Sequence, residues 1–457
     1  NNGVYGQRQG GTNQMIRIKV PYGAISADQF DTLAVIANEH SRGWGHITTR
    51  QNLQFHFVEL TEIPEVMRKL AAVGLTTREA CGDTVRNVQG CHLAGACPYE
   101  VLDISPWAEA TYRHFVRNPL SQRLPRKFKI NFSGCSTDCG QAMFNDVGVV
   151  AVTRNLASGQ VQSGFRVYLA GGLGTTPFPA LALEDFTSRE DLLPTIEAIL
   201  RVFDHTGNRK NKLRARLKWV VEQLGIEEVR RQVLETRQLL PASSTWPGGI
   251  PDAVISQGDD PAGVADNIKP TAIGQGVSVS LGATTEFDRW AEANVVRGAA
   301  NGTVSAYACC DLGDLTAIQF RAVAEMIRRF DVDVRITNRQ NLVLRNLSED
   351  QLPALFLQLQ ASGMAQPGAE LSRDVVACPG SDTCNLAITQ SRGLAKAIGV
   401  ALEEAGLAEV GGIRINISGC TNSCGQHHAS DIGFFGAERR AHGRQAPGYQ
   451  MLLGGHV

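Results

Sequence analysis

The sequence has almost no net charge: 44 Lys and Arg stand against 45 Asp and Glu, leaving −1 over 457 residues. Such a balance offers nothing particular to nucleic acid or to an anionic membrane surface. No apolar run approaches the length needed to cross a bilayer, and the polar stretch Asn1 to Asn13 lacks the hydrophobic character of a signal peptide. A cytoplasmic protein with neither a nucleic-acid nor a membrane partner is expected. A dinucleotide fingerprint is missing as well. Gly171-Gly172-Leu173-Gly174 has neither the third glycine nor the following helix start of such a turn.

What is present in quantity is cysteine. Eleven is an odd number, which argues against a simple disulfide framework. Eight of them fall into two spaced sets, and in a large cytoplasmic chain such spacing reads as metal binding. The other three, Cys81, Cys309 and Cys310, are expected to be buried as small apolar residues.

The chain is written twice. Pro21-Tyr22-Gly23 before Asp28-Gln29-Phe30 answers to Asp311-Leu312-Gly313 before Ile318-Gln319-Phe320. Ile47-Thr48-Thr49-Arg50-Gln51-Asn52-Leu53 answers to Ile336-Thr337-Asn338-Arg339-Gln340-Asn341-Leu342. Arg86 stands five residues before Cys91, and Arg373 five before Cys378. Ile130-Asn131-Phe132-Ser133-Gly134-Cys135 answers to Ile415-Asn416-Ile417-Ser418-Gly419-Cys420. The order holds throughout with a small drift in offset, so the sequence is a fused tandem duplication.

Each repeat reads as strand, helix, strand, helix, then a cysteine region. Ile16 to Val20 alternates, Ala27 to Asn38 has helical spacing, Leu53, Phe55 and Phe57 alternate, and Ile63 to Ala72 is helical up to Gly74. The expected fold is α+β: tandem duplicated repeats with pseudo-twofold symmetry and mixed sheets covered by helices. The expected divisions are a first repeat over 1–182, a charged helical segment over 183–240, a linker over 241–270 and a second repeat over 271–457. The linker is rich in Pro, Gly, Ser and Asp.

Within the second repeat, Cys378 and Cys384 have five residues between them, and Cys420 and Cys424 have three. A [4Fe–4S] cube needs four thiolates converging from different directions, which two short cysteine loops can supply. Structural zinc is the alternative, but it favours pairs two to four residues apart, and the five-residue gap fits that poorly. Gly419 and Gly425 flank the second loop, where the backbone can bend close around a cofactor.

Ala377-Cys378-Pro379 through Cys384-Asn385-Leu386-Ala387, with Ser418-Gly419-Cys420-Thr421-Asn422-Ser423-Cys424-Gly425, resembles the cluster and siroheme motif of the sulfite and nitrite reductase family. The resemblance covers essentially the whole chain, because that family is also built from two fused repeats. It implies a [4Fe–4S] cluster on Cys378, Cys384, Cys420 and Cys424, with Asn422 beside it and Cys424 also on the siroheme iron. It further implies the six-electron reduction of sulfite to sulfide, or of nitrite to ammonia at the same site. No flavin or nicotinamide fingerprint is visible, so electrons must come from outside, and the resemblance implies a ferredoxin or a flavoprotein as their donor.

Sulfite, nitrite and the polycarboxylate siroheme are anionic, so their site must be cationic and must supply protons. Arg50, Arg86, Lys127 and Lys129 lie in segments that resemble those bearing the family's anion-binding residues, in the same order. Arg offers a fork of donors to an oxyanion, and Lys a compact charge whose pKa can shift. Sulfite reductases resemble Lys-x-Lys at the position of Lys127 and Lys129, whereas plant-type nitrite reductases resemble Lys-x-Asn. Lys129 therefore tilts the expectation towards sulfite.

The chain departs from the family's assimilatory pattern in carrying a second cysteine set. Cys91 and Cys97 repeat the five-residue gap, and Cys135 and Cys139 the three-residue gap. Arg339, Arg373 and Arg414 stand opposite Arg50, Arg86 and Lys129, while Gly412 stands opposite Lys127. A pseudo-twofold fold would build one site from first-repeat bases and second-repeat cysteines, and a second from the reverse combination. A second [4Fe–4S] cluster on the first set, even a second siroheme, is therefore an expectation. The alternative is a relic with merely buried thiols. The rival functions are an iron–sulfur carrier without siroheme and a relative from corrin biosynthesis.

Overall fold

The computed structural model describes residues 2–241, 285–298, 302–441 and 443–455. The expected linker falls outside these residues apart from Pro241. The chain folds as two compact units that do not follow the repeat boundary. Of the described residues, one comprises 2–3, 78–172 and 177–241, and the other 4–77, 173–176 and those from 285 onwards.

The larger unit holds matching five-stranded antiparallel sheets, one from each repeat. The first runs Val4–Gly6, Asn13–Ile18, Leu53–Glu59, Trp44–Ile47 and Asp314–Thr316. The second runs Val295–Arg297, Thr303–Ala308, Leu342–Ser348, Asp333–Ile336 and Ala24–Ile25. Each repeat lends one short strand to the other's sheet: Leu315 pairs with Gly45, and Ile25 with Val334. The edge that one repeat alone would leave open is thus covered.

Local sequence explains the helices that join these strands. Ser26 and Gln29 form a capping box at the start of helix Ala27–His40, and Thr316 with Gln319 does the same for Ala317–Phe330. Their apolar faces meet in one core, where Phe30 and Phe320 lie 6.2 Å apart among Leu33, Phe55 and Val323. Tyr22 and Leu312 both adopt positive φ, and each is followed by a glycine at φ near +80°. A Cβ on Gly23 would lie 2.4 Å from the Ile336 carbonyl oxygen, and on Gly313 2.7 Å from that of Ile47. Close approach between the halves is why both are glycine.

The same unit carries a four-stranded sheet in the order Val376–Ala377, Ile415–Ser418, Ile432–Ala441, Arg444–Leu453. Its first pairings are parallel and its last antiparallel. The smaller unit repeats this plan as Val85–Gly90, Phe128–Ser133, Val147–Asn155 and Val161–Leu169, with Leu181–Thr187 added at the edge. Helices Ser105–Phe115 and Leu192–Thr206 belong to this unit, with Trp107 against Phe165 and Phe128 stacked on Phe203 at 5.7 Å. The α+β expectation holds. The segment from Leu183 was expected to be helical, but it begins as the end of a strand, and helix starts only at Leu192. That edge strand is irregular, with register shifts after Ala182 and after Glu184 that spoil its alternation.

Candidate metal centre

Parallel neighbouring strands end side by side, and that is how the fold gathers thiols. In the larger unit, Cys378 follows the strand ending at Ala377 and Cys420 follows the one ending at Ser418, which are adjacent. Cys378 N donates to Ile417 O at 3.2 Å, and Ile388 N to Gly419 O at 2.8 Å, closing the Cys384 loop onto the Cys420 turn. Gly425 N donates to Ser418 Oγ at 3.0 Å, tightening the turn that carries Cys420 and Cys424. A Cβ at Gly425 would sit 2.1 Å from the Ile417 carbonyl oxygen, so the position tolerates only glycine.

The four thiols act on one another. Burial pushes the Cys378 thiol up to about 12, and Cys424 adds to the effect. Cys420 is raised by burial and by Cys424 and Cys384. Gly419 N donates to Cys378 Sγ at 3.2 Å and Asn422 Nδ2 to Cys420 Sγ at 3.5 Å, so the sulfurs already accept hydrogen bonds. Cys424 is exposed and the others half-buried. Among the described residues, no group of three or more His, Cys, Asp or Glu side chains is placed to hold a single metal ion. The interactions run from Cys378 to Cys424, from Cys424 to Cys420 and from Cys420 to Cys384, so the four thiols form one connected set at the ends of adjacent strands.

Of the expected basic residues, Arg50 shares this unit with Cys378, Cys384, Cys420 and Cys424. Thr49 Oγ1 donates to Cys424 O at 2.8 Å, and Gln426 Nε2 to Thr49 O at 3.4 Å, so the loop bearing half-buried Arg50 lies on the Cys424 turn. Its counterpart Arg339 is differently placed. It is buried, with Nε donating to Asp374 Oδ2 at 3.1 Å and Nη1 lying 3.5 Å from Glu370. Sequence reasoning missed these two carboxylates, because an Asp and a Glu thirty-odd residues away carry no periodic signal.

It also missed Arg8, whose N donates to Thr383 O at 3.0 Å and whose Nη1 donates to Ala387 O at 2.7 Å, strapping the Cys384 loop. His427, three residues past Cys424, is another. Burial and the neighbouring His428 lower its pKa to about 3, so it stays neutral and adds no charge near neutral pH.

Arg86, Lys127 and Lys129 belong to the smaller unit and are half-buried. Arg86 donates to Gly82 O at 3.1 Å and Ala80 O at 2.8 Å. Val85 is level with Phe128 on adjacent strands, which puts Arg86 and Lys129 at neighbouring levels of one sheet. The start of the Lys129 strand is anchored by its backbone N on Asp146, which is itself held by Arg216 at 2.8 Å. The same unit gathers Cys91, Cys97, Cys135 and Cys139. Cys91 is raised by its hydrogen bond with Cys139 and by burial, while Cys97 responds to burial, Cys91 and Cys135. As expected, Cys81 and Cys310 are buried. Cys309 is half-buried and donates to Gln366 O at 3.2 Å.

Paired cysteine turns on duplicated sheets, with twinned ferredoxin-like halves, define an iron–sulfur oxidoreductase of a two-repeat class. The chain belongs to the nitrite and sulphite reductase family: its 4Fe-4S domain matches residues 81–239 and 368–457, and its ferredoxin-like half domain matches 5–73 and 297–362. The chain is similar to a protein of Mycolicibacterium paratuberculosis named sulfite reductase (ferredoxin) 2, 31% identical over 97% of this chain and 73% of that protein. It is also similar to the assimilatory ferredoxin-dependent nitrite reductase of Haloferax mediterranei, 27% identical over 100% of this chain and 76% of that one. Among solved structures, the Mycobacterium tuberculosis NirA protein superposes with a TM-score of 0.81 at 29% identity, covering 100% of this chain and 80% of its own. No described helix is long and apolar enough to cross a membrane.

Proposed function

We propose that this protein is a sulfite or nitrite reductase of the siroheme and [4Fe–4S] type, with sulfite as the preferred anion and a ferredoxin as donor. The observation that carries the reading is the seating of the Arg50 loop on the Cys424 turn through Thr49, which joins a cation to a four-thiol set. The donor set fits the group: Cys378, Cys384, Cys420 and Cys424 would hold the cluster, with Cys424 also the siroheme ligand and Asn422 donating to Cys420 Sγ. When bound, siroheme and cluster supply the electrons and the open iron position for the anion.

The chain's own residues supply everything else. Arg50 and Arg86 present guanidinium forks to anionic oxygens, and their charge is fixed at any working pH. Lys127 and Lys129 hold the anion electrostatically and pass protons to the oxygens that leave as water. Neutral His427 cannot substitute for them as a cation. A ferredoxin donor is supported by the names of the relatives above.

Lys129 is the basis for preferring sulfite. The test is turnover of both anions by the purified holoenzyme, preceded by its visible spectrum with and without each anion. Siroheme bands shifted by the anions, and faster turnover of sulfite, are expected. Lys129→Asn is expected to lower sulfite turnover roughly 10- to 100-fold more than nitrite turnover, since one oxyanion contact is worth roughly 1.5–3 kcal/mol and each step of about 1.4 kcal/mol is tenfold in rate. Equal losses would remove Lys129 from substrate choice, and an iron–sulfur shoulder without siroheme bands would leave a carrier.

A further inference from the structure

The first-repeat thiols are shaped by the same devices as the second-repeat set. Cys91 follows the strand ending at Gly90 and Cys135 the one ending at Ser133, again parallel neighbours. Cys91 N donates to Phe132 O at 3.0 Å and Val101 N to Gly134 O at 2.8 Å, as Cys378 and Ile388 do in their own unit. Gly140 N donates to Ser133 Oγ at 3.1 Å, and a Cβ there would lie 1.9 Å from the Phe132 oxygen. Asp138 and Gln141 take φ of +55° and +61°, against +56° and +63° at Ser423 and Gln426. Packing alone would ask for small apolar volume at these places. It would not ask for thiols at both gaps, in mutual contact, on a turn this constrained.

The two sets differ in their carboxylates. Glu100 stands three residues past Cys97, accepts from Gly95 N at 3.0 and 2.9 Å, and acts on Cys91, Cys97 and Cys135. Asp138 lies between Cys135 and Cys139, where the other turn has Ser423. The other set has a loop carboxylate too, Asp382 between Cys378 and Cys384, but the charges that act on Cys378 and Cys420 are those of other thiols. Negative charge beside an iron–sulfur cluster opposes the addition of an electron. A second anion-reducing site is a different matter, because Arg339 is already held by Asp374 and Glu370, and Arg373 by Glu403 at 3.0 Å.

We propose that Cys91, Cys97, Cys135 and Cys139 hold a second [4Fe–4S] cluster, at a lower reduction potential than the cluster on Cys378, Cys384, Cys420 and Cys424. It carries electrons and has no second anion-reducing site attached.

The test starts from the unaltered holoprotein, with iron, zinc, acid-labile sulfide and siroheme measured together. Sulfide at twice the amount of a single cube, beside a single siroheme and no zinc, is expected. Sulfide of one cube or stoichiometric zinc overturns the second cluster, and a second siroheme overturns the absence of a second site. A redox titration followed by electron paramagnetic resonance then assigns the centres. Cys135→Ser should remove the lower-potential signal and half of the sulfide, and Glu100→Gln should raise that signal's potential while leaving the other in place. Loss of the higher-potential signal in the first variant, or an unmoved potential in the second, sinks the assignment. A protein that reduced neither anion yet held both cubes would end the proposed function and leave this inference standing.

Discussion

The loops Ile47–Leu53 and Ile336–Leu342 share one backbone and part company in their charges. Thr48 N donates to Asn52 O at 2.9 Å and Thr337 N to Asn341 O at 2.8 Å. Gln51 Nε2 reaches Ile336 O and Gln340 Nε2 reaches Ile47 O, both at 2.9 Å. On these twin scaffolds, Arg50 is half-buried on a loop that Thr49 seats on the Cys424 turn, whereas Arg339 is buried between Asp374 and Glu370. The sequence positions matching those carboxylates are Asn87 and Asp83, and Asp83 is paired with Lys212 at 2.7 Å. Duplication has kept the devices that shape backbone and changed the side chains that decide where charge is available. One arginine is held as a structural cation between carboxylates, while its twin is the one proposed to meet the anion.

The largest effect should separate the two cysteine turns. Cys424→Ser is expected to bring anion reduction to background and to displace the siroheme absorption bands. Cys139→Ser, measured the same way, should leave the siroheme bands in place and lose cluster absorption alone. Displaced siroheme bands in the Cys139 variant would mean the two turns are functionally equivalent, and the comparison would fail.

A smaller effect should divide the arginines. Arg339→Met strands the buried Glu370 and the half-buried Asp374, and breaking such an arrangement costs up to about 3–5 kcal/mol. Arg50→Met should cost about 1 kcal/mol or less in stability, but lower turnover by roughly two orders of magnitude, as loss of an oxyanion donor does. Urea midpoints and steady-state rates on both variants give the answer. A destabilised Arg50 variant with ordinary turnover would reverse the roles assigned here.

How much of this was legible in the sequence follows from the range of the interactions involved. The duplication, the helix Ile63–Ala72 and the strand beginning at Leu53 could be read because they depend on near neighbours. The cysteine gaps could be read because a turn of fixed length brings its thiols together wherever it sits. The exchange of Ala24–Ile25 and Asp314–Thr316 between halves could not, because strands of two or three residues carry almost no periodicity. Nor could the capture of Arg339, since an arginine preceding Gln-Asn reads identically in both repeats until Asp374 and Glu370 fold against it.

The smallest effect concerns pH, and again the halves differ. His46 and His56 of the first half stand where the second half has Arg335 and Arg345. Arg345 pairs with Asp333 at 2.7 Å and stays charged at every accessible pH. His56 is buried against Trp44, its ring 5.6 Å away, and its Nδ1 has no partner among the described residues. Burial above all, then the nearby His46, lowers its pKa to about 3, with Asp314 acting in the opposite direction. The folded protein therefore keeps His56 neutral, while the unfolded chain takes up a proton near the ordinary 6.5. Stability from this residue is complete above that value and drains away as pH falls towards 3, by at most roughly 1.4 kcal/mol per pH unit. His56→Phe keeps a ring on Trp44 and removes the proton site, so its urea midpoint should fall less than that of the unaltered protein between pH 7.5 and 5. An unchanged pH slope would mean that histidine for arginine made no difference to the first half's response to acid, and that the asymmetry of the halves is confined to Arg50 and Arg339.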